Sequence, residues 1–210
     1  MGGSNMLLGT TNPAKQRRLR WLLDGLSLTL VSPEELGLSD RAPDEEGHTH
    51  EENARLKAAG WSQLASMPAI ASDGGLMVPA LGRRWESLHT HRFAGAEADD
   101  QTRLERLLQL MEPYKGEERR ASWMEALAVV QEGEPLASWQ VDGPTGVLLE
   151  DVGNGPVVPG FWVFSVWYFP QVGKTYNQLD EAELERFNDH WAQLQPLVQR
   201  HLRGAGMGEP

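Results

Sequence analysis

The feature of the sequence that most restricts the fold is the stretch 69–76, a short apolar run that ends in a carboxylate and two glycines. The apolar residues before Asp73 are typical of a short buried strand. Gly74 and Gly75 are expected to end this strand and to let a ligand approach the backbone closely. Asp73 is then expected at the carboxyl end of a strand, the edge where ligands bind in open α/β sheets. By itself, the stretch also fits a strand that ends in an ordinary Asp-Gly turn.

The composition limits the kinds of site that the chain can hold. The chain has 210 residues, enough for one substantial core, and contains no cysteine. Disulfides, thiol nucleophiles and thiolate metal sites are therefore excluded, and oxygen or imidazole ligands favour magnesium, calcium or manganese. The formal net charge of −11 at pH 7 disfavours duplex nucleic acid and anionic membranes as partners. A small polyanion carried by a divalent cation is compatible with this charge.

The sequence favours a cytoplasmic protein. No run of about 18 apolar residues is present, so no transmembrane helix is predicted. Residues 1–5 lack the basic and apolar regions of a signal peptide and resemble a cloning remnant, with Met6 as the expected natural start. We predict a single domain over residues 6–203 and a flexible tail over residues 204–210.

The N-terminal segment has the pattern of a strand that leads into a helix. Residues 6–10 are mostly apolar, and Asn12 and Pro13 are favoured at the cap and first turn of a helix. The free N–H groups of such a helix start can bind an anion, and Lys15 adds a positive charge. The segment is therefore a candidate phosphate site, although a simple Asn12 cap and a solvated Lys15 explain the same residues. A second strand is predicted over 26–31.

A second helix start is predicted at Thr49, which forms a capping-box pattern with Glu52. The helix that follows carries four residues at core spacing, Ala54, Ala58, Trp61 and Ala65. The loop before it contains Glu45 and Glu46, which are candidates for metal ligation or for a solvated acidic turn.

The rest of the chain is predicted to mix helices and strands. A helix is predicted over 100–111, followed by a strand over 123–131 that pairs antiparallel with 136–141. A loop over 143–160 surrounds a short strand at 146–150 and leads into a buried aromatic strand over 161–169. The last helix starts at Asp180, and Pro196 is expected to kink or break it. This alternation indicates an α/β fold.

Several short motifs follow one another through nearly the whole chain. They comprise Thr10, Asn12 and Lys15; Glu45, Gly47, Thr49, Glu52, Asn53, Ala54, Lys57 and Ala58; Asp73, Gly75 and Leu76; Arg92, Ala94 and Gly95; Arg120 and Ala121; and Gly160, Phe161, Gly173, Lys174 and Thr175. In this order and spacing, the chain resembles the inosine triphosphate pyrophosphatase family, hydrolases of non-canonical purine nucleoside triphosphates. Gly74 replaces a serine of the family pattern.

The resemblance implies an α/β fold with an elongated mixed β-sheet, flanking helices and two lobes around a central cleft. It also implies a homodimer and Mg²⁺-dependent hydrolysis of a nucleoside triphosphate to a nucleoside monophosphate and pyrophosphate. Such hydrolysis needs a cation to offset developing charge and a carboxylate near the attacking water.

The resemblance further assigns roles to single residues. Lys15 and Asp73 are expected to be catalytic. Glu45 and Asp73 are expected to hold Mg²⁺, with Glu46 as the alternative to Glu45, and Asp73 either holds the metal or orients the water. The residues expected to bind substrate are Thr10, Asn12, Lys15, Ser72, Gly74, Gly75, Arg92, Phe161, Lys174 and His190.

The departures from the family pattern cluster at the expected base pocket. Trp162 replaces a family glycine, and Phe164 replaces a family carboxylate. Counted without gaps from Thr175, Asp189 and His190 stand where the family has the His-Arg pair that helps to recognise the oxidised purine edge; matching His190 to the family histidine requires a shift of one residue. In either alignment the pair is not intact. A site that loses such hydrogen-bonding groups loses discrimination between bases. We therefore predict an altered base preference.

Two hypotheses from different classes follow. The first is a Mg²⁺-dependent nucleoside triphosphate pyrophosphatase with altered base preference, since Asn12, Lys15, Glu45 and Asp73 are retained. The second is a catalytically weak paralogue that binds a nucleotide or a protein partner through the same cleft. The two His-x-His pairs, His48 with His50 and His89 with His91, are interpreted as surface histidines rather than as a transition-metal site.

Overall fold

The computed structural model describes residues 4–89, 93–95, 97–152, 157 and 159–207. Its strands are β1 (Ser4–Leu8), β2 (Leu28–Val31), β3 (Ala69–Met77), β4 (Arg120–Gln131), β5 (Glu134–Leu148), β6 (Trp167–Phe169) and β7 (Lys174–Thr175). Its α-helices are α1 (Pro13–Leu22), α2 (His50–Ala65), α3 (Asp100–Met111), α4 (Glu181–Phe187) and α5 (His190–Gly204). Within the described ranges, no helix is both long and apolar enough to cross a membrane.

The strands form one open, mixed seven-stranded sheet in the order β2-β1-β3-β4-β5-β6-β7. β1 pairs in parallel with both β2 and β3, whereas β6 pairs antiparallel with β5 and β7. The expected mixed α/β sheet is therefore confirmed. The described chain divides into two compact units, the first made of Met1–Gly74, Glu125–Val141 and His190–Pro210, the second of Gly75–Met124 and Asp142–Asp189. The single domain over 6–203 stays a prediction.

The end of β3 differs from the sequence prediction. The strand continues through Gly74 and Gly75 to Met77, so the glycines do not end it. The reason is that β4 lies beside β3 in the sheet and offers hydrogen-bonding partners along its length, which a local pattern does not reveal. β1, however, ends at Leu8 opposite Ile70. Asp73 therefore lies beyond the carboxyl end of β1, as the ligand-edge hypothesis requires.

The first unit packs helices on both faces of its strands, because successive strand residues point to opposite sides. One face forms a core with α1 and α5, made of Met6, Leu8, Leu19, Leu22, Leu23, Ile70, Leu127, Val129, Trp191, Leu194, Val198 and Leu202. The other face carries a core of small residues with α2, made of Ala54, Ala58, Ala71, Ala126, Ala128 and Val130. Asp73 lies two residues after Ala71, so its side chain points to the α2 face.

The aromatic stretch of the second unit corrects another prediction. Residues 161–169 do not form one strand, because a 3₁₀-helix over Trp162–Ser165 precedes the short β6. All four residues of this helix are buried, whereas a strand would direct alternate side chains to opposite faces. The helical turn therefore brings the consecutive residues Trp162, Val163 and Phe164 into one core.

The C-terminal helix breaks at a different residue from the one predicted. α4 begins after an Asp180 capping box with Glu183, as expected, but it ends at Asn188, which adopts a left-handed conformation with φ of 49°. Pro196 lies inside α5 without ending it. Leu194 and Val198 are buried on either side of Pro196 along the chain, and their packing keeps α5 continuous. β5 also extends well beyond the predicted strand, since it includes Gly143 to Leu148.

Arg119 joins three segments of the second unit. Its buried guanidinium donates to the carbonyl oxygens of Leu148 and Met111, each at 2.6 Å, and to those of Tyr114 at 3.2 Å and Leu149. The side chain thereby satisfies backbone acceptors at the end of α3, in the turn that follows it and at the end of β5. A planar fork of donors is suited to this geometry.

We expect Arg119→Ala to lower the free energy of unfolding by about 3 kcal/mol, since it leaves several buried carbonyl groups without a donor. Urea unfolding followed by circular dichroism measures this change. The matched control is Arg120→Ala, whose side chain is exposed and pairs with Glu117 at the surface, and which should change stability by less than about 1 kcal/mol. Equal effects of the two substitutions would contradict this role of Arg119.

Candidate active site

Asn12 and Lys15 lie at the start of α1, where the N–H groups that were expected to be free are bonded to the Asn12 cap. Asn12 caps the helix, since its Oδ1 accepts from the backbone N–H groups of Ala14 at 2.9 Å and Lys15 at 3.3 Å. Thr10 Oγ1 in turn accepts from the N–H of Asn12 at 3.1 Å. The Lys15 ammonium donates to the carbonyl oxygen of Ser72 at 3.4 Å. These contacts place a positive charge and a helix N-terminus next to the residue that precedes Asp73.

The start of α2 fixes the loop that contains Glu45. Thr49 Oγ1 accepts from the N–H of Glu52 at 3.0 Å, as predicted. In a capping box, the Glu52 carboxylate would accept from the N–H of Thr49. Here Glu52 Oε2 accepts instead from the N–H of the preceding residue, His48, at 2.7 Å. Asn53 Oδ1 accepts from the N–H of Gly47 at 2.8 Å, and a Cβ at Gly47 would lie only 2.7 Å from that oxygen. The close approach explains the glycine.

Asp73 lies at the centre of a polar cluster on the α2 face. Its Oδ2 lies 2.6 Å from His50 Nδ1 and 3.5 Å from Asn53 Nδ2, while its Oδ1 accepts from Lys57 Nζ at 3.3 Å. Asp73 is 8% exposed, His50 4% and Lys57 9%. Burial of charges at this level is tolerated only when they are paired and hydrogen-bonded, as they are here.

Lys57 links the two carboxylates that the sequence proposes as metal ligands. Its Nζ lies 3.0 Å from Glu45 Oε1 and donates to the carbonyl oxygen of Ser72 at 3.1 Å, in addition to its contact with Asp73. Glu45 therefore reaches the cluster. The carbonyl of Ser72 receives both lysines, Lys15 and Lys57.

The cluster keeps both charges at neutral pH. Burial by itself favours the neutral form of Asp73, but the hydrogen bond from His50 and the charges of Lys57 and Lys15 hold the pKa of Asp73 well below its ordinary value. Burial likewise opposes the charged form of Lys57, yet the attraction of Asp73 and Glu45 leaves the pKa of Lys57 raised. The site therefore presents an ionised carboxylate beside an ammonium group.

The donor set fits a hard divalent cation. Magnesium is commonly held by one or two carboxylates, with waters and substrate phosphates completing its shell, and Asp73 and Glu45 provide two carboxylates around one point. In the part of the chain that the structure describes, no group of three or more His, Asp or Glu side chains is placed to hold a metal ion. A cation at Asp73 and Glu45 would therefore depend on substrate oxygens and water for its remaining ligands.

Comparison with known proteins decides the family. The model of the Ham1 family matches residues 6–195. The chain belongs to the Ham1 family. It is 37% identical over 207 residues to the dITP/XTP pyrophosphatase of Pectobacterium atrosepticum, covering 95% of this chain and 98% of that protein. It is 34% identical to a dITP/XTP pyrophosphatase of Thermus thermophilus, covering 96% of this chain and 94% of the relative.

Solved structures of Ham1 proteins share this fold. The structure of a HAM1 protein from Coxiella burnetii superimposes with a TM-score of 0.76 at 25% identity, covering 94% of this chain and 99% of that one. The Staphylococcus aureus Ham1 protein gives a TM-score of 0.72 at 22% identity, covering 93% and 98% of the two chains. The resemblance inferred from the motifs is thus confirmed at the level of family and fold.

The sequence interpretation of this Ham1 chain found part of the Asp73 cluster and missed part. Lys57 links Glu45 to Asp73, and Lys15 reaches the carbonyl of Ser72 from the helix that Asn12 caps. In contrast, His50, Asn53 and Lys57 were not proposed as site residues. These three are spaced i, i+3 and i+7, so they share one face of α2. A polar stripe beside the Ala54 and Ala58 core positions was the available signal.

Three further predicted site residues, Ser72, Gly74 and Gly75, flank Asp73 on β3. Gly74 and Gly75 lie within β3. Ser72 presents its carbonyl oxygen to the lysines, while its buried hydroxyl has no hydrogen-bond partner among the described residues. Arg92 lies outside the described residues, as does His91. The assignments of Ser72, Gly74, Gly75 and Arg92 as substrate-binding residues, like those of Thr10 and Asn12, stay predictions.

In the second unit, the side chains around the expected base pocket stack on or bond to neighbouring residues. Phe161 is half-buried and stacks on Phe164 with ring centroids 5.0 Å apart. The Lys174 ammonium pairs with both carboxylate oxygens of Glu183, at 2.6 and 2.8 Å. The buried Asp189 accepts from Tyr176 Oη at 2.6 Å. On the alignment without a gap, the position that the family pattern gives to a histidine holds this buried carboxylate.

His190, the last predicted substrate contact, is fully buried at the start of α5 in the first unit. Burial is the main cause that holds the pKa of His190 well below its ordinary value, and the positive charges of Arg18 and Lys15 act in the same direction. His190 is therefore neutral in the folded protein at neutral pH.

This depressed pKa predicts a dependence of stability on pH. Below about pH 6.5 the unfolded chain binds a proton at His190 that the folded chain does not, so stability falls by about 1.4 kcal/mol per pH unit from this group as the pH decreases. Above about pH 6.5 the contribution is complete. We expect His190→Asn to have a shallower slope than the wild type in urea titrations between pH 6.5 and 5.5. His48→Asn, at an exposed position, should keep the wild-type slope, and parallel slopes for all three proteins would contradict the prediction.

Proposed function

We propose that this Ham1 chain is a Mg²⁺-dependent nucleoside triphosphate pyrophosphatase with an altered base preference. The observation that carries the proposal is the cluster of Asp73, Glu45, Lys57 and Lys15. Its two carboxylates and two ammonium groups meet on β3, just beyond the carboxyl end of β1 and beside the N-terminus of α1. The relatives named dITP/XTP pyrophosphatase support the reaction type.

Each residue of the cluster has a role in this reaction. Asn12 and Lys15, at the start of α1, bind the phosphates of the substrate. Glu45 and Asp73 hold the cation, which when bound offsets the charge that develops on the phosphate oxygens. Asp73 also orients the attacking water. The oxygen of that water bonds to the α-phosphorus, and the water loses a proton to the solvent. The bond from the α-phosphorus to the bridging oxygen breaks, and pyrophosphate leaves with the electron pair.

Lys57 contributes fixed positive charge at the same point. Because it contacts Asp73 and Glu45 together, it limits the repulsion between two carboxylates that must lie close to one another. Little covalent chemistry is required of the protein in such a reaction, so positioning and electrostatic stabilisation account for most of the catalysis.

The base preference is expected to differ from that of the named relatives. Trp162 and Phe164 are core residues, and Asp189 provides acceptor oxygens already engaged by Tyr176. A pocket built around these groups lacks the hydrogen-bonding pair that the family pattern uses for the oxidised purine edge. Discrimination that depends on such groups is lost with them.

The test of the base preference is a panel of kcat/KM values for pyrophosphate release with Mg²⁺. The panel contains dITP, XTP, the ordinary purine nucleotides and the pyrimidine nucleotides, and the Pectobacterium relative is measured beside this protein. We expect this protein to favour dITP and XTP over dGTP less strongly than the relative does. Equal or stronger discrimination would contradict the altered preference while leaving the reaction type intact.

The second candidate is a catalytically weak paralogue, and the loss of the His-Arg pair favours it. Thermal stabilisation by a triphosphate with Mg²⁺ separates the two candidates, since an active-site ligand raises the melting temperature with its concentration. Stabilisation without turnover would favour the paralogue. The homodimer, the cytoplasmic location and the absence of nucleic-acid partners stay predictions.

A further inference from the structure

The buried histidine of the Asp73 cluster has no role in the reaction as described so far. His50 is the first residue of α2 and follows the Thr49 cap. Its ring is almost completely buried, and its Nδ1 lies 2.6 Å from Asp73 Oδ2. An apolar residue would fill the same space at the base of the helix without the cost of burying a polar ring. The contact with Asp73 gives a histidine a specific use at this position.

The contact fixes which atom of the ring is the donor. Asp73 is held as a carboxylate, and a carboxylate only accepts hydrogen bonds. Nδ1 of His50 must therefore carry a hydrogen when it lies 2.6 Å from Oδ2. Free neutral histidine has two tautomers, and the partner of one ring nitrogen determines which tautomer is present.

The two oxygens of Asp73 are held from opposite ends. Oδ2 is bonded by His50 and lies near Asn53, whereas Oδ1 is bonded by Lys57. Without His50, the carboxylate would keep its attraction to Lys57 but lose the short bond that resists rotation about its side-chain torsions. The orientation of a carboxylate that must meet a cation or a water is then no longer fixed, and small errors of geometry are costly in catalysis.

We propose that His50 is a positioning residue that orients Asp73 for pyrophosphate release through the hydrogen bond from Nδ1 to Oδ2. This inference rests on the proposed function. His50 acts through Asp73 and does not contact the reacting atoms. Its role is that of the outer partners that orient the ligands of metal sites, whose removal typically lowers activity or affinity by about 10- to 100-fold.

Two substitutions separate the hydrogen bond from simple packing. In His50→Asn, the side-chain amide nitrogen lies the same number of bonds from Cα as Nδ1 does, so the donor to Asp73 is retained with a smaller side chain. In His50→Leu, the space is filled but the donor is lost. We expect kcat to fall by about 10- to 100-fold in His50→Leu with a smaller change in KM, and most of kcat to return in His50→Asn.

A second readout does not depend on turnover. The long-range nitrogen-15 spectrum of the imidazole rings distinguishes protonated from unprotonated ring nitrogens, and the signal missing in His50→Asn assigns His50 among the six histidines. We expect a protonated Nδ1 in the wild type. In Asp73→Asn, the Nδ1 signal should shift, since its charged acceptor has been replaced by an amide.

The outcomes separate this inference from the proposed function. An unprotonated Nδ1 in the wild type, or a folded His50→Leu protein with wild-type kcat, overturns the positioning role while pyrophosphate release stands. Equal loss of kcat in His50→Leu and His50→Asn at equal melting temperature overturns it as well, because the retained donor would then be without effect. If the wild type releases no pyrophosphate from any triphosphate, the proposed function fails and the positioning role fails with it, whatever the imidazole spectrum shows.

Discussion

Asp73→Asn is expected to lower kcat for pyrophosphate release by about 10²- to 10⁴-fold, the range for loss of a group that assists water attack. The substitution keeps the size of the side chain but removes its charge. It also removes half of its acceptor capacity, since an amide has one donor and one acceptor end. His50 and Lys57 both donate to the carboxylate, so the amide can satisfy only one of them. The cation is also held less tightly.

The measurement is the steady-state rate of pyrophosphate release at saturating Mg²⁺, with circular dichroism to verify folding. The matched control is Glu46→Gln, which removes a carboxylate from the adjacent exposed position of the loop. The same control tests which of Glu45 and Glu46 holds the metal. Glu45 is the one that contacts Lys57, so Glu46→Gln is expected to keep kcat. A folded Asp73→Asn protein with unchanged kcat, or an equal loss in Glu46→Gln, would contradict the assigned roles.

Lys57→Met is expected to destabilise the protein by about 3–5 kcal/mol, the cost of leaving a buried charge without its partner. Methionine matches the length of the aliphatic part of lysine, so packing changes little. The loss arises because Asp73 is only 8% exposed and would face Glu45 without the intervening ammonium. The pKa of Asp73, which Lys57 helps to hold low, would rise, and catalysis that depends on the ionised form would fall.

Urea unfolding at pH 7 measures this loss, and pyrophosphate release measures the accompanying loss of activity. Arg55→Met serves as the control, since Arg55 lies two residues earlier on α2 and pairs with Glu51 at the surface. Exposed pairs of this kind contribute at most about 1 kcal/mol. If the two substitutions cost the same, the Lys57 contacts are not a coupled buried pair.

Local signals predicted the parts of the fold that short-range chemistry determines. Asn12 and Pro13 indicated the start of α1, and the predicted bounds of the helix over 100–111 are those of α3. In both cases the cap, the first turn and the apolar spacing lie within one segment. The same holds for the Asp180 cap of α4.

Predictions failed where distant partners decide the conformation. Gly74 and Gly75 look like a strand end in isolation, but neighbouring strands in the sheet carry β3 through them. The aromatic run over 161–169 has strand propensity at most positions, yet its first part forms a 3₁₀-helix whose Trp162, Val163 and Phe164 pack into one core. Tertiary context commonly overrides propensity of this kind.

The candidate site also has a part that the sequence indicated and a part that depends on distant residues. Its motif residues were found because their order along the chain resembles a known pattern. The bond between His50 and Asp73 joins residues 23 positions apart, and nothing local to either residue indicates it. Only the helical spacing of His50, Asn53 and Lys57 indicated that α2 presents a polar face to β3 at Asp73.

The most direct test of the proposed reaction is a quantitative analysis of the products formed from XTP or dITP with Mg²⁺. The assigned roles require xanthosine or deoxyinosine monophosphate and pyrophosphate in equal amounts, with no orthophosphate released during the early reaction. Formation of a nucleoside diphosphate with orthophosphate, or no turnover by the folded protein of either these or any other triphosphate, would contradict them.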